Sequence, residues 1–252
     1  MTTDELNPPI GDQLWLELPP HRGGKPNRLL VFLHGAGSSP EMFAPVALAW
    51  QFKFPNATAV VMEGLMPGSL GSGKDWFDPR AGQQSAELAA QAARQVARRI
   101  EAAQSALNLT ADQTMVVGFS QGASVALELA RLDQPGCHMI ISYAGRLVRP
   151  ITPGTPLTPT IHLLHGEFDT HVLAQQSLRA YRSLRDAKAT VSLDVITDGV
   201  HSIGQDMINV GTTRAMQTIF QSRKAITVQQ FHTALAVSMD SREDALGGEA
   251  LH

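Results

Sequence analysis

The sequence contains a single cysteine, few aromatic residues and no long apolar run. Cys137 is the only cysteine among 252 residues, so no internal disulfide can form, and we expect an inert thiol in a reducing compartment. No apolar stretch approaches the roughly 20 residues of a membrane span. Residues 1–11 are polar and acidic and lack the pattern of a signal peptide. These absences favour a soluble cytoplasmic protein without stable membrane anchoring.

An excess of charge of either sign is also missing. The formal net charge is −3 and the isoelectric point is near 6.3, which gives no electrostatic reason to expect nucleic acid as a partner. Apolar residues make up 43% of the chain, which is ordinary for a globular protein with a buried core. Disorder is therefore not the default expectation, and a chain of 252 residues can form a single α/β domain with a sizeable core. No residue pattern predicts an oligomeric state.

Apolar strands alternate with amphipathic helices along most of the chain. This alternation predicts a mostly parallel sheet of about seven strands with helices on both faces. We expect one domain over residues 1–252, with mobile ends at 1–12 and 241–252, and no cap domain because the proline-rich stretch 144–159 is too short to form one. Strands are predicted at 14–18, 28–33, 57–62, 114–119, 138–143, 160–164 and 191–197, and helices at 40–52, 83–107, 121–132, 172–187 and 203–221.

One stretch of this pattern carries a nucleophile. The apolar strand that ends at Phe119 runs into Ser120 within Gly118-Phe119-Ser120-Gln121-Gly122, and a helix follows. Strand, G-x-S-x-G and helix form the nucleophile elbow, in which the glycines permit a tight turn and the serine is held exposed in a strained conformation. A chance G-x-S-x-G in a glycine-containing loop is the alternative, and the flanking strand and helix argue against it.

The serine needs a base, an acid and an oxyanion hole, and other predicted strand ends supply them. Asp169 and His201 follow two later strands, in the Ser-Asp-His order of α/β-hydrolases. His201 is the expected base and Asp169 its orienting acid, with Glu167 as the rival acid. The backbone N–H groups of Ala36 and Gln121 are the expected oxyanion donors, although the Ala36 loop could be glycine-rich for packing alone.

Other histidines have less specific explanations. His34 is expected to shape its own loop, and His165 to make a structural hydrogen bond. A metal site formed by His165, Asp169 and His171 matches no standard ligand spacing. We therefore expect no metal.

A long loop, 63–82, is a candidate substrate-binding segment. It contains Asp75-Trp76-Phe77-Asp78, and a loop of this length in a compact domain is usually functional. Met66, Trp76 and Phe77 are the candidate residues of an acyl groove. Two aromatic residues in a loop can equally form a local hydrophobic plug.

Together these motifs resemble the phospholipase/carboxylesterase family, which includes the acyl-protein thioesterases, and the bacterial esterase branch is the most similar. The resemblance implies an α/β-hydrolase fold without a lid, and hydrolysis of esters or thioesters without a cofactor. It maps Ser120, Asp169 and His201 to the triad, and Ala36 and Gln121 to the oxyanion hole. The motifs that carry it are Leu33-His34-Gly35-Ala36-Gly37, Gly118-Phe119-Ser120-Gln121-Gly122-Ala123, Leu164-His165-Gly166 with Asp169, and Gly199-Val200-His201.

We therefore expect a serine carboxylesterase that acts on small esters with short to medium acyl chains. A thioesterase or lysophospholipase with the same triad is the alternative, because specificity depends on loop shape. In the acyl-protein thioesterases an acidic residue follows the His-Gly loop, whereas this chain has Ser38-Ser39. A non-catalytic hydrolase fold is the third hypothesis, and a missing triad member would favour it.

Overall fold

The computed structural model describes residues 15–69 and 71–222. This part of the chain divides into two compact units between Thr212 and Thr213. The expectation of a single domain over the whole chain stays a prediction. The expected mobile ends, 1–12 and 241–252, lie outside the described residues, as does the tail beyond Ser222.

A seven-stranded sheet forms the centre of the first unit. Its strand order is β1-β3-β2-β6-β7-β8-β9, and every neighbouring pair is parallel except the edge strand β1, which is antiparallel to β3. The predicted number of strands and the mostly parallel arrangement are confirmed. The strands of this sheet are β1 Trp15–Leu18, β2 Arg28–Leu33, β3 Ala57–Met62, β6 Thr114–Phe119, β7 Met139–Tyr143, β8 Thr160–Gly166 and β9 Val191–Ile196.

Helices cover both faces of the sheet, as the unbroken apolar strands predict. Successive side chains of a strand point to opposite faces, so Leu29, Val31 and Leu33 pack into the core beneath one set of helices, while Phe32 contacts Trp50 of α1 on the other face. Residues 205–212 are also helical, and the Met207 carbonyl oxygen accepts a hydrogen bond from Tyr143. The helices with printed bounds are α1 Pro40–Gln51, α2 Ser85–Leu107, α3 Gln121–Leu129 and α4 Ala174–Asp186.

The apolar residues that recur along α2 form a stripe that lies in the core. Ala92, Val96, Ile100 and Ala103 are almost fully buried, at the spacing of three or four residues that brings side chains to one helix face. The helix ends at Leu107, and the next residue, Asn108, adopts the left-handed conformation common after helix ends. None of the described helices is long and apolar enough to cross a membrane.

The loop at 63–82 contains structure that the sequence did not predict. It folds into a short antiparallel pair, β4 Met66–Pro67 and β5 Lys74–Asp75. Lys74 then forms a bridge with Ser38, and its backbone N–H donates to the Ser38 carbonyl oxygen at 2.8 Å. The loop at 63–82 is thereby attached to the loop that follows β2. Both lie at the carboxyl ends of the parallel strands, where the elbow also lies.

Candidate active site

Ser120 lies at the sharp turn between β6 and α3. Its φ of 53° and ψ of −112° belong to a backbone region that residues with a side chain rarely adopt. Gly118 makes the turn possible, since a Cβ there would lie 2.6 Å from the Ala123 Cα. A Cβ on Gly122 would meet the carbonyl oxygens of Leu33 and His34 at the end of β2. The strained serine between tightly packed glycines is the elbow that the motif predicts.

A chain of hydrogen bonds joins Ser120 to His201 and Asp169. The Ser120 hydroxyl lies 3.1 Å from His201 Nε2, and His201 Nδ1 lies 2.7 Å from Asp169 Oδ2. The tautomer that satisfies both contacts has Nδ1–H donating to the carboxylate and Nε2 accepting from the serine hydroxyl. The His201 ring also stacks on the His171 ring and contacts the Phe119 ring, with centroids 4.9 and 5.0 Å away. The structure thus brings together three residues that lie far apart in the sequence.

Asp169 is buried and fully engaged by hydrogen bonds. Its Oδ1 accepts from the backbone N–H groups of His171 at 2.9 Å and Val172 at 2.8 Å. Burial acts to raise the pKa of the Asp169 carboxyl, but the hydrogen bonds from His201, Val172 and His171 outweigh it, and the pKa lies below its ordinary value. Asp169 is therefore held as the carboxylate that can orient the His201 imidazole.

The structure separates Asp169 from its rival acid. Glu167 is exposed, and its backbone N–H pairs with Ile196, whereas its neighbour Asp169 is 3% exposed and faces His201. His165 is fully buried, with Nε2 3.3 Å from Asp169 Oδ2 and 2.6 Å from the Val172 carbonyl oxygen. The described residues contain no cluster of three or more histidine, cysteine, aspartate or glutamate side chains that could hold a metal ion.

The expected oxyanion donors lie beside the serine. Gln121 is the first residue of α3, and the N–H groups of a first helical turn have no partner within the helix. Ala36 lines the same cavity as Ser120. The N-terminus of α3 at Gln121 carries partial positive charge, which favours the negative charge of an oxyanion. The position of these residues supports the predicted assignment.

His34 and Asp75 hold the Ala36 loop in place. His34 Nδ1 donates to the Gly35 carbonyl oxygen at 2.7 Å, and Nε2 accepts from the Gly64 N–H at 3.1 Å. Burial lowers the pKa of His34 and favours this neutral form. Asp75 is fully buried and accepts from the Gly37 N–H at 2.7 Å. His34 therefore shapes its loop, as the sequence predicts, and Asp75 joins it in that task.

The side chain of Gln121 connects the elbow to the long loop. Its Oε1 accepts from the Trp76 N–H and its Nε2 donates to the Phe77 carbonyl oxygen, both at 2.8 Å. The sequence predicted a role only for the backbone of this residue. A glutamine between serine and glycine in an elbow carries no local signal for such a contact, because its partners lie more than 40 residues away.

The three candidate substrate-binding residues have different positions. Phe77 lines a cavity of about 400 Å³ that opens at Ser120. Trp76 is 2% exposed, and its indole N–H donates to the His34 carbonyl oxygen at 2.8 Å. Among the described residues that line this cavity, neither Trp76 nor Met66 occurs. Trp76 has the contacts of the hydrophobic plug that the sequence analysis kept as its alternative.

Comparisons with known proteins agree with this geometry. Esterase YpfH of Escherichia coli (strain K12) is 29% identical over 184 residues, which cover 70% of this chain and 76% of YpfH. The crystal structure of esterase PE8 superposes with a TM-score of 0.72 at 26% identity and covers 80% of this chain and 97% of its own.

A carboxylesterase from Mesorhizobium loti shares the fold, with a TM-score of 0.71 at 20% identity, and covers 84% of this chain and 99% of its own. The model of the phospholipase/carboxylesterase family matches residues 21–219, most of the chain. The protein described here therefore belongs to the phospholipase/carboxylesterase family of α/β-hydrolases.

Proposed function

We propose that the protein is a serine carboxylesterase in which Ser120, His201 and Asp169 form the catalytic triad. The continuous hydrogen-bond chain from the Ser120 hydroxyl to the buried Asp169 carboxylate carries this proposal. Family membership and the esterase relatives agree with it. The substrate is a small carboxylic ester, and the enzyme is proposed to act in the cytoplasm, where a lone buried thiol such as Cys137 stays reduced.

The first half of the reaction forms an acyl-enzyme. Ser120 Oγ attacks the ester carbonyl carbon while His201 Nε2 takes the hydroxyl proton. The Ala36 and Gln121 N–H groups stabilise the tetrahedral oxyanion, and each such donor typically lowers the barrier by about 3 kcal/mol. Collapse of the intermediate breaks the bond to the alcohol oxygen, which receives the proton from His201.

The second half releases the acid. His201 Nε2 removes a proton from water, the hydroxide attacks the acyl carbonyl, and the second oxyanion occupies the same hole. Collapse returns the proton to Ser120 Oγ. Asp169 stays ionised throughout and stabilises the imidazolium that forms in each half. The cavity of about 400 Å³ beside Ser120 supports the proposal of short to medium acyl chains.

A fluorophosphonate probe tests the nucleophile. We expect the probe to label the wild-type protein at Ser120, as mapped by peptide mass spectrometry, and p-nitrophenyl butyrate to be hydrolysed. Ser120→Ala should lose both labelling and hydrolysis by several orders of magnitude. Ser105→Ala, the same change at an exposed position of α2, is a matched control that should still be labelled. Full activity of Ser120→Ala would contradict the mechanism.

The same assay tests the alternative substrates. Catalytic efficiency is compared for p-nitrophenyl esters of increasing acyl length, an acyl-thioester and a lysophospholipid. The proposal expects the highest kcat/KM for a short or medium ester. A higher value for the thioester or the lysophospholipid would move the assignment to that activity without changing the triad.

A further inference from the structure

Arg146 is the one side chain with a permanent charge among the described residues that line the cavity at Ser120. No aspartate or glutamate of the described residues lines this cavity. The other polar side chains around it are neutral hydroxyl and amide groups, such as Ser124 and Gln176, together with His171. The permanent charge on the described lining of this cavity is therefore positive, and esters of different charge should enter it with different affinities.

The guanidinium of Arg146 has no carboxylate partner among the described residues. Two other arginines, Arg131 and Arg149, do have a carboxylate partner. Arg149 donates to the buried Glu128 carboxylate, with Nε 2.8 Å from Oε2, and Arg131 Nε lies 3.7 Å from the same oxygen. Glu128 thus neutralises part of the charge of two nearby arginines, whereas Arg146, an exposed residue of the cavity lining, has no such carboxylate among the described residues.

The backbone at Arg146 is fixed to the elbow. The Arg146 N–H donates to Ser124 Oγ at 3.3 Å, and that hydroxyl donates to the Ser120 carbonyl oxygen at 3.2 Å. The residue two positions earlier, Ala144, has a φ of 51°, a strained conformation for a residue with a side chain. Such strain persists only where surrounding structure enforces it. Arg146 therefore starts from a defined point two hydrogen bonds away from the nucleophile.

Tight packing at Gly145 adds to this constraint. A Cβ on Gly145 would lie 2.7 Å from the Ala123 Cβ. The Gly145 carbonyl oxygen accepts a hydrogen bond from the buried Ser177 hydroxyl at 3.2 Å. The corner after β7 is thus held by contacts with both α3 and α4. Arg146 directly follows this corner and is exposed, so its backbone is fixed while its side chain is accessible to a bound substrate.

Two helix N-termini reinforce the positive potential. Both α3, which begins at Gln121, and α4, which begins at Ala174, start beside the cavity. No side chain of the described residues caps the first turn of α4. Helix N-termini carry partial positive charge and favour anions within about one turn. Arg146 and these helix ends act on the same volume.

We propose that the preferred substrate is an ester that carries a second, anionic group, a carboxylate, and that Arg146 binds this group. A planar guanidinium pairs with a carboxylate through two parallel hydrogen bonds, which makes Arg146 a determinant of specificity. The inference rests on the proposed esterase function, since it names the substrate class of that same site. The carboxylate belongs either to the acyl part, as in a half-ester of a dicarboxylic acid, or to the alcohol part.

Matched pairs of substrates test the inference and locate the carboxylate. On the acyl side, the mono-p-nitrophenyl ester of adipic acid is compared with its carboxamide counterpart. On the alcohol side, the butyrate ester of para-hydroxybenzoic acid is compared with that of para-hydroxybenzamide. The two members of each pair have nearly the same size and differ in charge, and the rate of uncatalysed hydrolysis of each ester corrects for the different leaving-group acidity in the alcohol-side pair. The wild-type enzyme should show a higher kcat/KM for the carboxylate member of one pair, and added salt should reduce that preference.

Variants of the arginine connect the preference to the residue. Arg146→Gln should lower kcat/KM for the preferred carboxylate ester roughly tenfold, and leave its carboxamide counterpart within about twofold, because only the former loses a charge-assisted contact. Arg146→Lys keeps the charge without the planar fork and should retain part of the preference. Arg22→Gln is the control. Arg22 is exposed and precedes β2, at the sheet edge opposite Ser120, and its replacement should leave both esters unchanged.

The possible failures are distinguishable. If neither pair shows a preference for the carboxylate, or if Arg146→Gln lowers both members equally, the inference about the substrate is wrong while esterase activity stands. If the wild-type protein hydrolyses none of these esters and no probe labels Ser120, the proposed function itself is wrong.

Discussion

Asp169 shows how much of the site depends on the surroundings of a single carboxyl group. Two backbone N–H groups and the His201 ring donate to it, and they lower its pKa although burial acts in the opposite direction. The lowered pKa means that the Asp169 carboxyl binds a proton less readily in the folded protein than in the unfolded chain. The ionised carboxyl therefore stabilises the fold at any pH above the pKa of aspartate in the unfolded chain, about 3.9. That contribution is lost as the pH falls through the lower folded-state pKa.

The lowered pKa of Asp169 predicts how the stability of an Asp169→Asn variant depends on pH. The variant lacks the carboxylate, so we expect it to be less stable than the wild type at neutral pH. The difference should shrink as the pH falls below about 4, where the carboxyl of the unfolded wild-type chain takes up a proton, and vanish below the lower folded-state pKa, where the native carboxyl is protonated as well. Urea unfolding of both proteins at a series of pH values measures it. A stability difference that stays constant down to the lowest pH would contradict the argument.

At the scale of elements, the elbow depends on the absence of two side chains. Gly118 and Gly122 let β6, α3 and the end of β2 approach one another, and any Cβ would collide with backbone atoms rather than with a flexible side chain. Backbone cannot yield to such a collision without moving the strand or the helix, and therefore Ser120.

We predict that Gly122→Ala destabilises the fold by roughly 1–3 kcal/mol, the usual cost of overpacking, and strongly lowers kcat. Unfolding curves and hydrolysis of p-nitrophenyl butyrate measure the two effects. Gly204→Ala is the matched control, because Gly204 has no other atom within 4 Å of its Cβ position and no positive φ. An active, stable Gly122→Ala variant would show that β2 and α3 do not constrain the serine.

The attachment of the long loop gives a second prediction at this scale. Leucine is similar in size to glutamine, but Gln121→Leu leaves the Trp76 N–H and the Phe77 carbonyl buried without their hydrogen-bond partner. We expect a loss of stability of about 2 kcal/mol or more, together with a lower kcat/KM, since the same loop holds Gly37 through Asp75.

Two variants accompany Gln121→Leu. Gln121→Glu can still accept from Trp76 but cannot donate to Phe77, and it should retain part of the activity. Gln95→Leu makes the same chemical change at an exposed position of α2 and serves as the control. Equal stability of Gln121→Leu and Gln95→Leu would show that the long loop needs no attachment to the elbow.

At the scale of the whole molecule, Cys137 reports on the opening of the core. It is 3% exposed and packs in the main apolar cluster, and burial raises the pKa of its thiol to about 12. A thiol reacts as its thiolate, which such a pKa almost eliminates at neutral pH.

We therefore predict that a thiol-specific chromogenic disulfide labels no cysteine in the native protein at neutral pH. In urea, one thiol per chain should react at the rate of unfolding, because the core must open before the reagent can reach it. Cys137→Ser provides the blank. Rapid labelling of the native protein would mean that the region around β7 opens locally.

The local physics of the sequence determined the elements of this protein and their order. Apolar runs become buried strands, and the stripe of α2 packs as its spacing predicts. The elbow was also readable, because its glycines and its flanking strand and helix are neighbours along the chain. The chain order of Ser120, Asp169 and His201 followed the expected pattern, and the structure brings all three together.

Only the tertiary structure decided the contacts between distant segments. The preference for Asp169 over Glu167, the attachment of Trp76 and Phe77 to Gln121, and the position of Arg146 beside Ser120 all depend on loops that meet at one edge of the sheet. Helix and strand propensities depend on a few neighbouring residues, whereas these contacts join segments that lie far apart in the sequence, such as Gln121 and Trp76, which are 45 residues apart. The sequence therefore predicts which residues carry the proposed chemistry, and only the packing of the loops shows which other side chains surround them.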